Sequence, residues 1–111
     1  MTNPTRQTRE ERAAMLRTQR RDAIMAAAMG LAAQIGHREI TRNGVAQLAG
    51  VANGSVNHEF GTVDDLRDAV LAEAIDRENL PIIARAVATG DPAASGIDPD
   101  LKKRALDSLA A

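Results

Sequence analysis

The chain has 111 residues, no cysteine, tryptophan or tyrosine, a single phenylalanine and a formal net charge of −1. That length suits one domain with a modest core and is short for two, and the lack of cysteine excludes disulfides and thiolate metal sites, in keeping with a cytoplasmic protein. The near-neutral total hides an asymmetry: residues 1–62 carry eight arginines against five acidic residues, whereas 63–111 carry six basic against ten acidic, so only the N-terminal half offers a surface to a polyanion.

Residues 1–7, MTNPTRQ, are polar and contain Pro4, and are expected to form a flexible arm. Thr8 with Glu11 three residues later has the form of a capping box, which places a helix start near Arg9. Its first part, REERAAMLRTQRRD, alternates in charge and is expected to be solvated. Ile24, Ala27, Ala28, Leu31 and Ile35 then recur at i, i+3, i+4, i+7 and i+11 as one buried stripe that ends at Gly36. Propensity leaves open whether 9–35 is one helix or two broken near Thr18. Arg20-Arg21 before an apolar run has the outline of an export signal, but Asp22 interrupts it. The run is also too short and too rich in alanine to span a bilayer.

Thr41 is a good N-cap for a short second helix whose inner face is expected to hold Val45, Ala46, Leu48 and Ala49. Gly44 inside it costs about 1 kcal/mol relative to alanine, so this helix must depend on its neighbours. Gly50 makes the turn, Val51 tucks toward the core, and a third helix is expected over 53–60. At 100° per residue Val56 and Phe60 share its buried side. Gly54 and His58 point away, Ser55 lies near them, and Asn57 and Glu59 flank them. A fourth helix is expected from about Asp64, with Leu66, Ala69, Val70 and Ile75 inward. Leu80-Pro81 breaks it, and 82–88 add a short helical piece that ends at Thr89-Gly90. DPAASGIDPD reads as a loop, and Asp98-Pro99 starts a last helix that bears Leu101, Ala105 and Leu109. The fold class is all-α, with no strand pattern and no internal repeat.

Two short helices joined by a tight turn, the first apolar inward and the second polar outward, have the pattern of a helix-turn-helix, whose second helix enters the DNA major groove. From Arg21 to Leu66 the chain resembles the DNA-binding domain of TetR-type transcriptional repressors. The resemblance lies in the alanine-rich first helix that ends in Gly36, Thr41, Val45-Ala46, Ala49-Gly50-Val51, Gly54-Ser55-Val56, Phe60 and Gly61-Thr62. It implies a TetR-like three-helix helix-turn-helix domain over 8–78, a connecting helix included. A short C-terminal helical extension over 79–111 follows.

The departures fall on the second helix of the motif and just after it. The family usually has Ser where Ala52 stands, Tyr at Asn57, His at Glu59 and Lys at Val63, and that Tyr and Lys commonly touch phosphates. Glu59 would repel a phosphate oxygen unless it accepts from a cytosine amine. Arg38, Arg42 and the arginines at 6, 9, 12, 17, 20 and 21 are candidates to replace the lost positive charge.

The expected partner is double-stranded DNA, and the expected contact residues are Arg38, Thr41, Arg42, Asn53, Gly54, Ser55, Asn57 and His58. About 45 residues follow Leu66, too few on this reading to enclose a drug-sized pocket of about 300 Å³ and also dimerise as the family does, so no small-molecule ligand is expected. Leu80, Ile82, Ile83, Val87, Ile97, Leu101, Leu106 and Leu109 form a surplus stripe expected to make a homodimer interface. No cofactor, metal or membrane partner is expected: His37 has no partner motif, and no catalytic triad, phosphate loop or carboxylate pair marks an enzyme. The alternative is a protein-interaction module on the same scaffold that binds a repressor or polymerase component.

Overall fold

The computed structural model describes residues 8–110, and every regular element among them is helical. The arm expected over 1–7, with Arg6, lies outside the described residues. Helix α1 (Arg9–Ile35) is one unbroken helix of 27 residues, about 40 Å long at 1.5 Å per residue. It opens on the expected capping box: the Glu11 amide donates to Thr8 Oγ1 at 3.1 Å and the Thr8 amide donates to Glu11 Oε2 at 3.3 Å. Only its second half packs. Ile24, Ala27, Ala28 and Ala32 are buried with Met25 and Met29, whereas residues 9–23 are exposed apart from Ala13. Ile35 departs from the expected stripe. It is 47% exposed and lines an open groove with Arg85, Ala88 and Leu109.

Helix α2 (Arg42–Ala49) and helix α3 (Asn53–Phe60) follow as a tight pair. Thr41 caps α2 by accepting from the Gly44 amide at 3.0 Å. Gly50 takes φ 72°, a left-handed conformation that side chains oppose, and so lets the Val51 amide turn back to the Ala46 carbonyl at 3.0 Å. Val45 and Ala46 are buried as expected, but Leu48 is 61% exposed. It lies about 60° from Val45 on the side away from Ala46 and Ala49, beyond the edge of the arc that α2 buries.

Helix α4 (Val63–Asp76) begins one residue earlier than the acidic pair suggests, because Thr62 and Asp65 form a second capping box. It buries Leu66, Val70, Leu71 and Ala74, with Ala69 and Ile75 half-buried. Glu78 ends the segment at φ 53°, a left-handed position without glycine, and its carboxylate accepts from Arg104 at 2.8 Å. Asn79 then caps helix α5 (Leu80–Ala88), which carries Pro81 in its first turn. A 3₁₀ turn, Pro92–Ala94, lies within the expected loop. Asp98 starts helix α6 (Pro99–Ala110) by accepting from the Leu101 amide at 3.2 Å.

The C-terminal segment packs on its own chain. Helix α5 packs against α1, α4 and α6. Ile82, Ile83, Ala84, Ile97, Leu101 and Ala105 join the same core as Ile24 and Leu66, with Leu80 and Val87 half-buried beside them. Of the expected surplus stripe only Leu106 and Leu109 remain exposed, because the hairpin of α5 and α6 folds back on its own chain. The projecting half of α1 gives the molecule its length, 58 × 31 × 24 Å.

Candidate functional site

Helix α3 is short, and its anchor is correspondingly small. Val56 and Phe60 are buried, and the rest of the eight-residue helix has no further large apolar side chain. A helix this short is marginal alone, so its position is set by what holds its ends. At the N-terminus Ala52 supplies no side-chain cap. At the C-terminus Arg21 of α1 donates to the Glu59 carbonyl at 2.9 Å and lies 4.3 Å over the Phe60 ring. One guanidinium thereby satisfies an orphan carbonyl and adds a cation–π contact. Arg21 was a candidate phosphate contact; the structure makes it the strut between α1 and α3.

The outward face is as small as the sequence suggests. Asn53, Gly54, Asn57 and His58 are exposed and Ser55 is half-buried. A Cβ built on Gly54 meets nothing within 4 Å, so its bareness serves no internal packing. Glu59 turns inward: it is half-buried, and its Oε1 is shielded with no hydrogen-bond partner among the described residues. The expected clash of this carboxylate with a phosphate oxygen therefore does not arise from the exposed face.

Beside α3 lies an open cleft of about 680 Å³. It brings together four of the expected residues, Thr41 and Arg42 at the start of α2 with Asn53 and Asn57 of α3. Arg42 is exposed, with no ion pair among the described residues, whereas the Thr41 hydroxyl is engaged in its cap. The floor is set by Arg67, which sequence reading missed. Its Nε and Nη2 donate to the Ile40 carbonyl at 3.1 and 3.0 Å, and its Nη1 meets Asp64 at 3.1 Å. Arg67 thus fixes the residue before the Thr41 cap. The Asp64 pair has legible i, i+3 spacing, but nothing local signals a bond to a carbonyl 27 residues away.

Arg38, the eighth expected contact, is placed elsewhere. Its Nε lies 2.7 Å from Asp91 and its Nη2 2.9 Å from Asp68, so the guanidinium ties the α1–α2 connection to α4 and to the segment after α5. Asp91 is 5% exposed, and its pKa is pulled down to about 2, first by the hydrogen bond from Arg38. His37 is buried with its Nε2 2.9 Å from Asp91. Desolvation lowers its pKa below 6.5 and outweighs the raising effect of the carboxylate, so the ring is neutral at pH 7.

Around this network the end of α1 and the segment after α5 enclose an open groove of about 630 Å³, with Ile35 and Leu109 among its lining. Among the described residues, no group of three or more His, Asp or Glu side chains is placed to hold a metal ion, and no helix is long and apolar enough to cross a membrane. No protein-family model, curated protein or solved structure matches the chain.

Proposed function

We propose that this protein is a small sequence-specific DNA-binding regulator, a cytoplasmic repressor in the manner of the TetR-type proteins its motif resembles, that lays α3 in the major groove. The observation that carries the reading is the α3 face: four exposed positions, Asn53, Gly54, Asn57 and His58, none bulkier than a histidine, on a helix whose opposite side is fixed by Val56 and Phe60. The groove is about 12 Å wide and admits one helix, so short amide and imidazole side chains reach base edges only where the backbone comes close. Arg42 at the first turn of α2 and the cleft it shares with Asn53 and Asn57 suit a phosphate beside that groove. Pairing through the exposed Leu106 and Leu109 of α6 would give a homodimer for a palindromic site. No catalytic role enters this reading.

Selection of bound duplexes from a random pool, followed by titration at several salt concentrations, tests it. A preferred sequence should emerge, with log affinity falling against log salt by about 0.9 per phosphate neutralised. Recovery of no duplex at low salt would contradict the reading. A second reading, docking on a protein partner, is favoured by Leu48, which stands 61% exposed on α2 where duplex phosphates would be the neighbours. A Leu48→Glu variant that binds duplex as tightly as wild type, but loses a partner captured by wild type, would support it.

A further inference from the structure

We infer that the projecting half of α1 is a second contact surface for the same duplex, a strip of Arg9, Arg12, Arg17 and Arg20 that follows the phosphate backbone away from α3. The inference rests on the DNA reading above and adds to it a surface outside the helix-turn-helix.

All four arginines are exposed, and among the described residues none makes a side-chain hydrogen bond or ion pair. On a helical wheel with Arg9 at the origin, Arg12, Leu16, Arg20 and Arg17 fall within an arc of about 140°, and no acidic residue lies inside it. Glu10 stands at the edge of that arc, whereas Glu11 and Asp22 lie on the far side, Glu11 engaged in the cap. The opposite sign is therefore present on this helix but sorted away from the strip. Arg9 with Arg12 and Arg17 with Arg20 are like charges at i, i+3, a spacing that weakens an isolated helix. No residue from 9 to 23 is fully buried in the core. Among the described residues no side chain pairs with this strip, and a polyanion would supply the counter-charge.

The position of the strip is fixed by its neighbour. Arg21, one residue beyond it, lies about 40° outside the arc and binds the end of α3. The strip therefore starts beside the C-terminus of the recognition helix and runs outward for about 16 Å. At one phosphate per 3.4 Å of axis on each strand, that length passes on the order of five phosphates. The occupant is a nucleic-acid backbone rather than a bilayer, because Leu16 is the one large apolar residue in the arc. An interfacial helix needs a continuous apolar face.

A variant with Arg9, Arg12, Arg17 and Arg20 all changed to Gln, full-length and otherwise unaltered, tests the inference; glutamine keeps helix propensity comparable to arginine. On the duplex that wild type prefers, the log–log salt slope should become shallower by about 2 to 4, and affinity at 0.15 M salt should fall about tenfold or more. The ratio between preferred and scrambled duplex should stay the same, since these residues touch no base. Hydrogen exchange on the wild type should show the amides of 9–20 slowed when duplex is added. An unchanged slope, or unchanged exchange while duplex is bound, overturns the strip and leaves the α3 reading standing. Wild type without affinity for any duplex ends both. Loss in the variant of binding to phosphatidylserine vesicles, with duplex binding intact, would assign the strip to a membrane and overturn it here.

Discussion

Asp91 illustrates how one side chain fixes the C-terminal half on the helix-turn-helix. It receives Arg38 at 2.7 Å, stands 2.9 Å from His37, and accepts from the Ala93 amide at 2.9 Å, so it joins the α1–α2 connection to the turn after α5. Its folded-state pKa of about 2 lies below the ordinary 3.8. The stability it adds is therefore complete above about pH 5 and is lost as the pH falls through about 4 to 2. His37 acts in the same direction higher on the scale. It is buried neutral with a pKa below 6.5, so unfolding takes up a proton once the pH drops under that value. Asp91→Asn should thus lower stability by about 1 to 2 kcal/mol at pH 7, after allowance for the half-exposed Arg38, and by much less at pH 2. Urea unfolding at the two pH values measures this; equal losses at both would remove the carboxylate from the explanation. Since Arg38 is held by this network, Arg38→Ala should cost stability and leave sequence preference on duplex DNA intact.

Helix α3 carries the function proposed for the chain, and its glycine offers a separation of stability from binding. Gly54 is exposed in the first turn of an eight-residue helix, with open space where a Cβ would go. Gly54→Ala should therefore raise stability by a few tenths to about 1 kcal/mol. If the backbone of α3 approaches base edges closely, the same methyl should weaken duplex binding. A variant both more stable and as tight would mean that the approach is made by side chains alone. The start of α2 and the turn into α3 were readable because Thr41 and Gly50 punctuate them, and the buried pair Val56 and Phe60 follows from helical period. The struts were not readable. Arg21 on Glu59 spans 38 residues and Arg67 on Ile40 spans 27, and local pattern carries no information about which carbonyl a long side chain will reach. Leu48 and Ile35 were misplaced for a related reason. Periodicity assigns a face, but whether a neighbour covers that face is decided by the lengths of other helices.

At the scale of the whole molecule, the division at residue 78 dissolves into one core. The all-α class was legible from helical period, caps and the absence of alternating strands. The destination of Ile82, Ile83 and Leu101 was not, because an apolar stripe looks the same whether its own chain or a second copy covers it. Ile82 and Ile83 are fully buried beside the helix-turn-helix core, and each contributes about 1.5 to 3 kcal/mol. A chain cut after Glu78 should accordingly lose cooperative thermal unfolding, whereas a stable, folded 1–78 piece would restore the two-part organisation. The α3 face and the projecting arginine helix both lie outside this core, and the proposed duplex contact uses both. The decisive measurement is the ratio of affinities for a selected duplex and a scrambled one, compared between wild type and the Asn57→Ala/His58→Ala double variant at fixed salt. The ratio should collapse toward unity in the variant while binding to the scrambled duplex persists, with each good base contact worth about 1 to 3 kcal/mol. A variant that discriminates as well as wild type would show that α3 does not read the sequence.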